Sequence, residues 1–118
     1  IEKLIYLNCN IKETVYNVAE KVINSNAECI VCMDDKICCQ VLEKFQAIQV
    51  SVPKDIKLVS FYDSYFLEHC KPAVTSLRFD EANLGIIACE ELIGRIEQRT
   101  YSTRVYTGYK VMLRASTR

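Results

Sequence analysis

The feature that most constrains this chain is an alternation. Short unbroken apolar runs take turns with longer stretches whose apolar residues repeat at helical spacing. Cys29-Ile30-Val31-Cys32-Met33 is one such run, the pattern of a strand buried on both faces. Asp34-Asp35 follows at once, and an acidic residue there suits a helix start. From Lys36 to Ala47, Cys38, Val41, Leu42 and Phe45 form a stripe, widened by Ile37 and Cys39. A surface helix needs only one apolar face, so this width predicts extra burial, against another subunit. Residues 56–61 and 74–78 read as further strands. Residues 65–70 read as a short helix stopped by Pro72. A long helix capped by Asp80 carries Leu84, Ala88, Leu92 and Ile96 at intervals of four. Before these, residues 3–8 read as a strand. Asn10 reads as the cap of a helix running through Ile23, with Glu13 in the capping-box position. Residues 103–114 read as extended, rich in Thr, Val and Tyr. Strands alternating with helices imply βαβ units and a parallel sheet.

In 118 residues there are three glycines, Gly85, Gly94 and Gly108. No two are close enough to build a glycine-rich nucleotide loop. Tryptophan is absent, and no apolar run approaches the ~18 residues of a membrane span. No pattern of a secretory signal opens the chain. Seven cysteines are an odd number, and most sit inside apolar runs; free cysteine behaves as a small buried hydrophobe. The reading is a protein of a reducing cytoplasm. Net charge is zero but unevenly spread. Residues 1–94 hold nine basic against fourteen acidic residues, and residues 95–118 hold six basic and one acidic. A basic tail can touch nucleic acid; here it reads as a solvated strand docking on an acidic body.

In open α/β sheets, ligands bind outside the carboxyl ends of the strands. Asn8 and Asn10, Asp34 and Asp35, and Asp63 all fall just past strand ends, which points to one polar pocket. Metal binding has little support. Cys29 and Cys32, three apart on a strand, point to opposite faces, Cys38 and Cys39 diverge on a helix, and a second C-x-x-C is missing. His69 is the only histidine, and nothing places a cysteine beside it as a nucleophile. Neither metal nor cofactor is expected.

Several segments together resemble the LacI/GalR family of bacterial transcription regulators. Residues 27–35, Ala-Glu-Cys-Ile-Val-Cys-Met-Asp-Asp, are similar to the family's "ptAifa.nD". Residues 52–63, Val-Pro-Lys-Asp-Ile-Lys-Leu-Val-Ser-Phe-Tyr-Asp, resemble "VPeDisvvGfDd", with Ser60 for the usual Gly. Residues 72–78 resemble "PpLTtvr", with Ala73-Val74 for Pro-Leu. Leu84-Gly85 and the stretch from Ala88 to Leu92 resemble "lG..A...L". Arg114-Ala115-Ser116-Thr117 resembles the closing "ReSt". The resemblance covers about residues 27–117 and is weaker over 4–24.

It implies an α/β, three-layer αβα fold: a truncated, parallel-sheet subdomain of the type I periplasmic-binding-protein-like kind. About residues 1–78 come from the C-terminal subdomain; about 79–118 supply the crossover helix and final strand of the N-terminal one. The function implied is that of an effector-sensing and dimerisation fragment of a cytoplasmic DNA-binding regulator, a repressor, and not of an enzyme. Its partners are a small polar effector such as a sugar or nucleobase, a second copy, and operator DNA reached only through an N-terminal helix-turn-helix that is absent here; no membrane is involved. Effector contacts fall on Asp63 and Asp34. A third effector contact is Asn10, which stands where many relatives place an aromatic against the effector, and Asp35 matches the helix-capping aspartate. Ile37 and Val41, with Tyr65 and Phe66, match positions used for dimer contacts. A solute-binding protein of a transport system is the alternative, and an enzyme using Asp34 and Asp63 the more remote one.

Overall fold

The computed structural model describes residues 12–99 and 104–118. The strand expected over residues 3–8 and the cap at Asn10 lie outside them. Chain order is α1 (Lys12–Asn24), β1 (Cys29–Cys32), α2 (Asp35–Ala47), β2 (Lys57–Ser60), α3 (Tyr65–His69), β3 (Thr75–Phe79), α4 (Glu81–Ile96), β4 (Tyr109–Met112) and a closing 3-10 turn (Ala115–Thr117). The strands form one sheet in the order β1-β2-β3-β4. β1, β2 and β3 run parallel, as alternation with helices requires. β4 departs from that expectation and runs antiparallel along β3, with Leu77 opposite Val111 and Phe79 opposite Tyr109.

The two βαβ crossovers pass the same way across the sheet, so right-handedness puts α2 and α3 on one face. Strand alternation agrees. Ile30, Cys32, Leu58, Ser60 and Val74 point toward that face, and all but Ile30 are buried. Phe45, Leu42, Cys38 and Val41 of α2 close the core over them, with Leu67 of α3 and Ala19 and Val22 of α1. On the other face Val31, Met33, Phe61, Tyr109, Val111 and Leu113 are exposed. Among the described residues the sandwich therefore shows two of its three layers.

Helix ends follow local chemistry. Asp34 caps α2 by accepting from the Ile37 N–H at 2.8 Å, and Asp80 caps α4 by accepting from the Asn83 N–H at 3.1 Å. Asp35 was expected as the α2 cap; it is the first helical residue instead. Of the two adjacent acids, it is Asp34 that adopts the extended backbone a cap requires. α2 and α4 both close with a Schellman turn. Val50 donates to the Phe45 carbonyl and Gln49 to that of Gln46; Arg99 donates to Gly94 and Gln98 to Arg95. The left-handed residues at these turns are Gln49 (φ 61°) and Gln98 (φ 54°), not glycine. A glycine-poor chain thus places ordinary residues in a costly conformation.

α4 stands apart. It makes almost no contact with the other described elements, and Leu84, Ile86, Leu92, Ile93 and Ile96 are exposed along it.

Candidate functional site

Because β1, β2 and β3 are parallel, their carboxyl ends share one edge. Met33-Asp34-Asp35 leaves β1 there, Phe61-Tyr62-Asp63 leaves β2, and Phe79-Asp80-Glu81 leaves β3. Tyr109, opposite Phe79, starts β4 at the same edge. The Phe61 and Phe79 rings meet with centroids 6.3 Å apart. The Tyr62 hydroxyl donates to Glu81 Oε1 at 2.6 Å. That hydrogen bond, then the charge of Glu81, raises the Tyr62 phenol above its ordinary value. The result is an open shelf of exposed aromatic rings with carboxylates among them.

Asp63 does not face this shelf as a free carboxylate. Its side chain is only 4% exposed and is turned onto the helix-covered face. Oδ1 accepts from Arg114 Nη1 at 2.7 Å and from the Ser76 hydroxyl. Oδ2 accepts from Arg78 Nε at 2.6 Å. Burial alone raises its pKa, but the hydrogen bonds from Arg114, Ser76 and Arg78 outweigh that and hold it at about 2. Both oxygens are engaged within the chain, so Asp63 is an anchor that ties the end of β2 to β3 and to the chain's last segment.

That segment is a polar lock. Arg114 Nη1 also donates to the Val74 carbonyl at 2.8 Å. The Thr75 hydroxyl donates to the Arg114 carbonyl at 3.2 Å and accepts from its N–H at 2.9 Å. The Ser116 hydroxyl donates to the Leu58 carbonyl at 2.6 Å and accepts from the Thr75 N–H at 2.9 Å. Ser116 is fully buried, and its bonds satisfy β2 and β3 where the sheet ends. Sequence reasoning found Asp63 but not its partners Ser76, Arg78 and Arg114. The signal was present in the closing Arg-Ala-Ser-Thr, whose arginine needs an acid to be buried. Ser60, where glycine is usual, is also explained: its hydroxyl donates to the Tyr62 carbonyl at 2.6 Å and fixes the bend after β2.

The expected interface residues separate. Val41, expected at the interface, is 2% exposed and belongs to the chain's own core instead; the wide stripe of α2 is consumed by the sheet, α1 and α3. Ile37 is half-buried against the same core. Tyr65 and Phe66 are 72% and 69% exposed. They border a groove of about 500 Å³ between α2 and α3, which Cys39, Gln46 and Cys70 also line. Asn10 lies outside the described residues. Among the described residues no group of acids, histidine and cysteines could hold a metal, and no helix is long and apolar enough to cross a membrane.

Comparison with known proteins sets this geometry in context. The model of the periplasmic binding protein-like domain matches residues 4–117. The arabinose metabolism transcriptional repressor of Geobacillus stearothermophilus is 36% identical over 70 residues, 59% of this chain and 19% of its own length. The lactose operon repressor of Rhizobium radiobacter is 26% identical over 106 residues, 88% of this chain and 94% of its own. A PurR family transcriptional regulator from Vibrio parahaemolyticus superposes with a TM-score of 0.78 at 26% identity, over 94% of this chain and 41% of that one. A LacI family regulator from Bifidobacterium animalis reaches 0.83 at 19% identity, over 92% and 41%. The regulator CelR, solved with cellobiose, reaches 0.76 at 22% identity, over 91% and 34%. The chain thus spans about two fifths of these solved regulators.

Proposed function

Because this chain belongs to the periplasmic binding protein-like domain family, we propose that it is part of the effector-sensing and dimerisation region of a cytoplasmic transcriptional repressor of the LacI family. The observation that carries this reading is the match to two repressors, over 59% and 88% of this chain. The carboxyl-end shelf supplies one wall of a cleft for a small polar effector. Its exposed aromatic rings suit the apolar face of a sugar or a nucleobase, and Asp35, Glu81 and the Tyr62 hydroxyl suit hydroxyls or ring nitrogens. Asp34 and Asp63, first read as effector ligands, hold that wall in shape: one caps α2, the other anchors the lock. Read without a gap, residues 52–63 set Tyr62 opposite the first aspartate of "GfDd" and Asp63 opposite the second. This register favours Tyr62 as the effector-facing residue.

The boundary between lobes also shifts. α4 is the element that belongs to the other lobe, since its apolar side stays exposed among the described residues. β4 and the 3-10 turn return to the sheet of residues 29–79.

Self-association through α3 is tested by sedimentation of the chain with Tyr65→Glu and Phe66→Glu combined. Dissociation of a dimer is the expected result; an unchanged molecular weight removes this face. Effector sensing is tested on the regulator that carries this domain, with cellobiose, lactose and adenine as probes in thermal unfolding. A ligand bound only by the folded state raises the midpoint, and Tyr62→Ala should cancel the rise. A rise that survives Tyr62→Ala removes the shelf from the site.

A further inference from the structure

Six cysteines lie among the described residues, and they are not equivalent. Cys32 and Cys38 are 4% and 0% exposed, inside the core and beyond the reach of solutes. Cys29 and Cys89 are exposed on β1 and α4, elements that do not pack on each other. Cys39 and Cys70 differ from both sets. Their sulfurs sit 3.9 Å apart across the gap between α2 and α3, and both line the open groove there. They are 31 residues apart in sequence, so the fold, not the chain, brings them together.

We propose that Cys39 and Cys70 form a reversible intramolecular disulfide when the protein meets a peroxide. The sulfurs already touch, and closing the bond shortens their separation by roughly 2 Å. Cys39 sits on the surface of α2, whereas Cys70 is the extended residue that ends α3 and has more freedom to move. Burial, then the neighbouring Cys70, pushes the Cys39 thiol up to about 12, and Asp35 and Glu43 add to this. Cys39 is therefore the resolving thiol. Cys70, at the freer end of α3, is oxidised first. The Cys70 thiolate attacks one peroxide oxygen: an S–O bond forms, the O–O bond breaks, and the departing hydroxide leaves as water after taking a proton. The Cys39 sulfur then attacks the sulfenic sulfur. The S–S bond forms, the S–O bond breaks, and the second oxygen leaves as water with the Cys39 proton. The two thiols lose two electrons and two protons in all, and the peroxide is reduced to two waters. The bond pins the end of α3 to α2 and so fixes the helix that carries Tyr65 and Phe66. A thiol reductant reverses it by exchange.

The test treats the chain with dilute hydrogen peroxide, alkylates the remaining thiols and maps the peptides by tandem mass spectrometry. The expected product is a monomer lighter by two hydrogens, with the bridge at Cys39 and not at Cys38, and it is restored by dithiothreitol. C39S and C70S should each abolish it. C29S combined with C89S should leave it intact. Circular dichroism checks that the single variants fold, and C39A repeats the test without a hydroxyl. Alkylation of both Cys39 and Cys70 after oxidation overturns the proposal. So does a product bridged only between chains, or one in which Cys70 is over-oxidised with Cys39 still reduced.

Discussion

α2 and α4 obey the same local rules and meet different fates. Each begins on an aspartate that accepts a backbone N–H three residues on. Each carries an acid in its first turn, a base in its last, and ends on a left-handed glutamine. Both repeat apolar residues at helical spacing. Yet α2 buries Cys38, Val41, Leu42 and Phe45, while α4 buries only Gly94. Capping and periodicity specify that a segment is helical and which side is apolar. They do not specify what covers that side. For α2 the cover is α1, β1, β2 and α3 in the same body; for α4 it lies in the proposed other lobe of a regulator.

Removing a core side chain should separate the two helices most. Phe45 is fully buried, so Phe45→Ala should destabilise the chain by about 3–5 kcal/mol in urea unfolding. Leu92 is 59% exposed, and Leu92→Ala should fall within ~0.5 kcal/mol of the parent. A large loss at Leu92 would break the comparison, because it would mean that α4 packs within this chain.

The anchor of the body comes next in size. Asp63→Ala leaves the buried Arg114 guanidinium with only the exposed Glu68 carboxylate, 3.8 Å away, at a cost of about 3 kcal/mol by the same measurement. Its pH dependence has a definite sign. The folded carboxyl titrates at about 2, below its unfolded value of ~3.9. The stabilisation is complete above about pH 5, declines as pH falls through 4 toward 2, and disappears below both values. In Asp63→Ala that part of the acid limb should flatten.

Caps give a smaller contrast. Asp34→Ala should lower global stability by about 1 kcal/mol. Asp80→Ala removes the same kind of bond and should leave the global midpoint unmoved, since α4 is not coupled to the core; only the helical circular dichroism signal should drop. The smallest effect is a gain. Gln49→Gly relieves a left-handed residue next to the core and should add about 0.5 kcal/mol net of unfolded-state entropy. The same change at Gln98 should add nothing to the global midpoint. Equal responses at the two sites would contradict the distinction.

Much of this body could be read from residues alone. The run from Cys29 to Met33, the acid after it and the stripe of α2 located β1, α2 and their contact, because burial on both faces and helical spacing leave direct marks in sequence. The direction of β4 left no such mark: an extended segment rich in Thr, Val and Tyr reads the same parallel or antiparallel. Val41 was misplaced because a wide apolar stripe signals more burial without naming the partner, and three elements of the same chain supply it. Asp63 was seen as an acid past a strand end. Only the fold shows that residues 76, 78 and 114, far from it in sequence, occupy both of its oxygens. Asp34 and Asp35 differ in backbone angle alone, which their shared chemistry cannot reveal.

Native-state hydrogen exchange, followed residue by residue on the 118-residue chain, reports whether α1–α3 and the sheet form one cooperative body from which α4 is uncoupled. In that case α2 amides from Cys38 to Phe45 exchange only through global unfolding, and α4 amides from Leu84 to Ile93 exchange by local opening at a far lower free energy. Equal protection of the two helices in a monomeric sample would contradict it.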